Sequence, residues 1–130
     1  MSTGEIKNAR IRGADIFVED HGILTAFVDL DYGGGGQGFG GYGMDRHVPR
    51  DPTLKDDRRA DREGVAWGME FIRRVMATVG VDRWSKLPGT PVRVRADWGK
   101  VYEIGHFIED RWFSPERDLA HLTSQSESSR

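Results

Sequence analysis

The 130-residue chain contains no cysteine. Disulfides, cysteine-ligated zinc sites and thiol nucleophiles are therefore excluded, and the composition suits a reducing compartment. Long apolar runs are missing as well. No stretch approaches the roughly eighteen residues of a membrane-spanning helix, and the opening MSTGEIKNAR holds no apolar segment of a signal peptide. These two gaps set the expectation of no membrane partner. An excess of one charge sign is also absent: 19 Lys and Arg face 21 Asp and Glu, for a net charge of −2. Non-specific DNA binding rests on a basic surplus, so no DNA partner is expected, and an anionic ligand has to be met by arginines gathered locally. No Ser-His-Asp or Cys-His arrangement stands out, and no Walker lysine follows the glycines.

What the chain does have is glycine, and it is concentrated. Eight of the seventeen glycines fall within Asp29 to Asp45, DLDYGGGGQGFGGYGMD, with Tyr32, Phe39 and Tyr42 set among them. A strand pattern runs straight into this tract, which separates it from a flexible linker. Glycine lacks a Cβ, so it admits positive φ or the close approach of another group, at roughly 0.5–1 kcal/mol of extra chain entropy in a regular element. So many together imply that something comes close to this backbone. The two expected visitors are a second protein chain and an anionic ligand.

By length the chain is one α+β domain, residues 1–122, followed by a polar tail, 123–130, too hydrophilic to pack. Ile6 to Val18 reads as one or two strands around Gly13. Ile23 to Tyr32 is the clearest strand, with Leu24, Ala26, Val28 and Leu30 on one face, and Gln37 to Met44 can return beside it. Arg46 to Arg62, with Pro49 and Pro52, reads as a charged loop. The long helix is expected over Asp61 to Val79, closed by Gly80 at its C-terminus. Val65, Met69, Ile72, Met76 and Val79 form one apolar strip, and Trp67, Phe71 and Val75 a second. Gly64 and Gly68, four apart beside the second strip, would let a neighbouring helix come close. Asp82 to Leu87, carrying Trp84, connects to a hairpin of Pro91–Asp97 and Val101–Ile108 through a Trp98-Gly99 turn. Ser114-Pro115 starts a short C-terminal helix as N-cap and first helical residue. The sum is an antiparallel sheet with one long helix and a short C-terminal one.

Three groups of residues could carry chemistry. Gly36, Gly38 and Gly41 spell G-x-G-x-x-G, but Tyr42 to Asp45 does not open the helix that a dinucleotide site requires. Asp29 and Asp31 point the same way at a strand end and, with one of His21, His47, His106 or His121, could hold a divalent metal for phosphodiester hydrolysis. The plain alternative is that the two acids are solvated or cap the glycine turn. Arg58, Arg59, Arg62, Arg73, Arg74, Arg93, Arg95 and Arg111 are interleaved with Trp84, Trp98 and Trp112. Arginine forks grip phosphates and stack on rings, and indoles stack on bases. The alternative here is a solvated surface of offset charges.

Three blocks, EDHGILTAFVDLDYGGGGQGFGGYGMD, GVAWGMEFIRRVMATVGVDRWSKLPG and KVYEIGHFIEDRWF, resemble the first type of Thoeris anti-defence protein, a family of small phage proteins. The resemblance spans most of residues 19–113. It implies a non-enzymatic sponge in the host bacterial cytoplasm, without a cofactor. The sponge holds, uncleaved, a cyclic ADP-ribose isomer of the glycocyclic type made by the bacterial immune system. It further implies that some members take up cyclic oligonucleotides, and that the chains assemble as homo-oligomers, dimers or hexamers, with pockets shared between protomers. By motif position Trp84 and Arg111 would sandwich the adenine, and an arginine ahead of the long helix, Arg59 or Arg62, would join them. Phe39 and Gln37 of the glycine–aromatic block complete the candidate ligand set. Two other classes stay open: a metal-dependent phosphodiesterase using Asp29, Asp31 and a histidine, and a structural phage interaction protein.

Overall fold

A computed structural model describes residues 4–33, 36–41, 43–50, 52–54, 61–97 and 99–122. The expected polar tail, Trp98 and most of the charged loop, with Arg58 and Arg59, lie outside the described residues. Strands β1 (Glu5–Val18), β2 (Leu24–Asp31), β3 (Gly36–Gly41), β6 (Pro91–Ala96), β7 (Val101–His106) and β8 (Trp112–Phe113) form one antiparallel sheet in the order β3-β2-β1-β6-β7-β8. A second, two-stranded sheet pairs β4 (Asp45–His47) with β5 (Arg62–Gly64). Helix α1 (Ala66–Val79) lies on one side of the large sheet, and α2 (Pro115–Asp118) follows β8. The expected α+β arrangement is what the chain adopts.

Register follows from side-chain alternation. Ile11 stands opposite Leu30, Val28 opposite Phe39 and Val94 opposite Ile104, and all six are buried. They meet Phe71, Val75 and Val79 of α1 in one core. Six flat strands would set the two edges roughly 24 Å apart, at about 4.8 Å per step. Yet the ring of Phe39 on β3 lies 6.1 Å from that of Phe113 on β8, and Phe71 touches both at 5.6 and 5.8 Å. The sheet is therefore curled, with α1 filling the concave side. Register shifts in β1 at Ile11/Gly13 and between β6 and β7 at Arg95/Ala96 add the twist this curl requires.

Two sequence expectations change here. The segment starting at Asp61 does not begin the helix: Arg62–Gly64 pairs as a strand, and Val65 becomes the residue before α1. Of the two apolar strips, the one with Phe71 and Val75 faces the core, joined by Val79 from the end of the other. Met69 of the other is 65% exposed. Gly68 does permit a close approach, but to this chain's own Met44, whose carbonyl oxygen would stand 2.7 Å from a Cβ there. A Cβ at Gly64 would meet nothing nearer than 4.0 Å.

Candidate functional site

The site is built at the C-terminal end of α1. Gly80 ends the helix in the left-handed conformation, φ 94°, and its N–H and that of Val81 both donate to Met76 O, at 2.8 and 3.1 Å. Arg111, arriving from the turn between β7 and β8, lies against this end. Its Nε donates to Thr78 O at 3.4 Å and its Nη1 to the Glu109 carboxylate. A cation is favoured beside the terminal carbonyls of a helix. These bonds use the in-plane donors of the guanidinium and leave its flat faces for stacking. Nη2 stands 3.2 Å from where a Gly80 Cβ would be, so Gly80 supplies both the positive φ and the room for Arg111. The Arg111 side chain remains 41% exposed.

Trp84 follows four residues after Gly80, opening a single 3-10 turn, Trp84–Lys86. The ring is half-buried against the core, and its Nε1 is buried without a hydrogen-bond partner in the protein. An unpaired buried donor costs roughly 1–3 kcal/mol. No cation–π contact among the described residues joins Trp84 to Arg111. The structure thus brings both to one end of the molecule without closing them on each other.

The other sequence candidates take different places. Arg62 donates from Nε and Nη2 to Asp45 Oδ1 at 3.1 and 2.9 Å, in a pair whose side chains are 12% and 10% exposed. Asp45 also accepts from Leu24 N at 3.2 Å. Arg62 is therefore committed to stapling β4, β5 and the start of β2 together. Arg59 lies outside the described residues. Phe39 is core, enclosed by Phe71 and Phe113, so its ring offers no face to a ligand. Gln37, opposite Leu30, is half-buried on the same side of the sheet.

The expected visitors to the glycine tract are side chains of the chain itself. A Cβ at Gly38 would overlap the Phe27 ring, one at Gly36 would stand 2.5 Å from Arg12 Nη2, and one at Gly41 would press on Met44 and Phe71, both at 2.9 Å. Asp29 is held by both Nε and Nη2 of Arg12, each at 3.1 Å. The carboxylate in turn raises the Arg12 pKa, chiefly through these hydrogen bonds. Among the described residues no three His, Asp or Glu side chains gather as metal ligands. On the convex side Trp112 lies across Gly105, with the guanidinium carbons of Arg93 and Arg95 at 5.0 and 5.5 Å from its ring. Two of the interleaved arginines and one tryptophan are thus paired with each other.

In the sequence Gly80 reads only as a helix stop and His106 only as one of four scattered candidate metal ligands, while Glu109 and Thr78 carry no expectation. The motif EIGHFIEDRW carried a signal: a histidine five residues before the arginine, across a turn. No protein-family model, curated protein or solved structure matches the chain.

Proposed function

We propose that the protein binds and sequesters, without cleaving it, a cyclic ADP-ribose isomer of bacterial immune signalling, with adenine stacked on Trp84 and on the Arg111 guanidinium. The observation that carries this reading is a fixed, half-exposed Arg111 with its guanidinium faces free at the C-terminal end of α1, and a half-buried Trp84 four residues beyond that end. A purine offers the flat face on which both can stack. The resemblance of the three sequence blocks supplies the ligand class, the phage origin and the host cytoplasm. With Arg62 tied to Asp45, Arg59 is the loop arginine proposed for the pyrophosphate.

The reading includes homo-oligomers with composite pockets. Met69 at 65% and Ile108 at 81% exposure leave apolar surface on α1 and on the β7–β8 turn that a second copy would cover. With pockets shared between protomers, as the resemblance implies, the second wall of each stack would come from another protomer. Cyclic oligonucleotides belong to the proposal only through the resemblance.

Calorimetry with a purified cyclic ADP-ribose isomer tests the site. Trp84→Ala and Arg111→Ala are each expected to weaken binding by roughly 1–3 kcal/mol, the worth of a desolvated stacking or cation–π contact. The folded circular dichroism spectrum should persist in both. Unchanged affinity in both variants would place the pocket elsewhere.

A further inference from the structure

We propose that His106, as a neutral imidazole accepting at Nδ1, is the template of the turn that carries Arg111 and hence a positioning residue for ligand capture. The capture half of this inference rests on the assignment of Arg111 to the ligand site.

The turn joins β7 to β8 and is closed by His106 N donating to Arg111 O at 2.9 Å and Arg111 N donating to Glu109 O at 2.9 Å. Inside it, the main-chain N–H groups of Ile108 and Glu109 both donate to His106 Nδ1, at 3.1 and 2.9 Å. A main-chain N–H can only donate, so Nδ1 holds a lone pair and the ring proton sits on Nε2. Arg93 of β6 clasps the same turn from outside, giving Nε to His106 O at 2.9 Å and Nη2 to Glu109 O at 2.8 Å. Apolar burial contributes little here, because Phe107 and Ile108 at the tip are both exposed. The side-chain hydrogen bonds must therefore define the turn, and Arg111 leaves its end to reach Gly80 and Thr78.

Amide hydrogen exchange and ring ¹⁵N shifts on the full labelled chain test this without ligand, and calorimetry with a cyclic ADP-ribose isomer tests the consequence. In the native chain we expect Nδ1 to carry no proton and the Ile108 and Glu109 amides to be protected. His106→Ala should free both amides and weaken binding roughly tenfold or more, as two lost hydrogen bonds would. His106→Asn places an acceptor, Oδ1, where Nδ1 was. It should restore protection and affinity. An Nδ1–H tautomer, freely exchanging amides in the native chain, or an Asn variant no better than Ala would overturn the inference. If the native chain binds no ligand, the proposed function fails, while the exchange and tautomer data still decide the role of His106.

Discussion

Gly80 combines a left-handed backbone with the close seat of Arg111, so one substitution reports on both. Gly80→Ala is expected to cost about 1 kcal/mol in thermal stability from the positive φ. It should weaken ligand binding beyond that, because the new methyl stands where Arg111 lies. A binding loss no larger than the stability loss would detach Arg111 from the site. Arg62 and Arg59 separate in the same way. Removing Arg62 leaves Asp45, which is buried, without its ion-pair partner. Arg62→Ala should lower stability by roughly 3 kcal/mol, the order seen when a buried pair is broken, as measured by urea unfolding. Arg59→Ala should reduce affinity in the same calorimetry that tests Arg111. Nothing in KDDRRADRE distinguishes these arginines, since the partner of Arg62 sits on β4, across the charged loop. Gly80, by contrast, was legible as a helix stop from the apolar spacing before it. Its second role was not, because Arg111 reaches it from a turn distant in sequence.

The elements with strong local signals formed as read: β2 and β6 from their alternation, β7 as the hairpin partner of β6, and α2 from Ser114-Pro115. In α2 the Ser114 hydroxyl accepts from Arg117 N at 3.3 Å, and Asp118 Oδ2 accepts from Ser114 N at 3.0 Å. Asp118 is held below its ordinary carboxylate range, chiefly by its hydrogen bond with Arg117. For a carboxylate with a depressed folded pKa, the stabilisation is present above its unfolded value and is lost as pH falls through the folded value. Asp118→Asn should therefore cost about 1–2 kcal/mol at neutral pH, the scale of a charge-assisted hydrogen bond. The difference from the native chain should vanish in acid, below the usual aspartate range. A constant difference across pH, in melts monitored by circular dichroism, would deny the charged role. The start of α1 departs from the expectation at Asp61, although Arg62 and Glu63 suit a helix by composition. Pairing with β4 and the backbone approach of Met44 to Gly68 override that preference, and neither leaves a local signature.

At the scale of the whole molecule, the curl of the sheet decides what the glycine tract is for. Its glycines let Phe27 lie close over β3 on the outer face and Met44 and Phe71 on the inner one, so Phe39 can reach Phe113 on the far edge. In the sequence, an aromatic among glycines looked like a platform for a ligand, and only the closure of the sheet reveals it as core. The curl also leaves Met69 and Ile108 outside. We expect light scattering at micromolar concentration to show a multiple of the 14.7 kDa chain mass. Stability should then rise with protein concentration. A monomer with full ligand affinity would remove the shared pocket. The central claim is capture without cleavage, and one measurement addresses it directly. Protein in excess is incubated with a cyclic ADP-ribose isomer, the free ligand is quantified, and the complex is then heat-denatured and the supernatant analysed by mass spectrometry. Sequestration predicts depletion followed by full recovery of intact ligand. Recovery of a cleaved product, or no depletion at all, would contradict it.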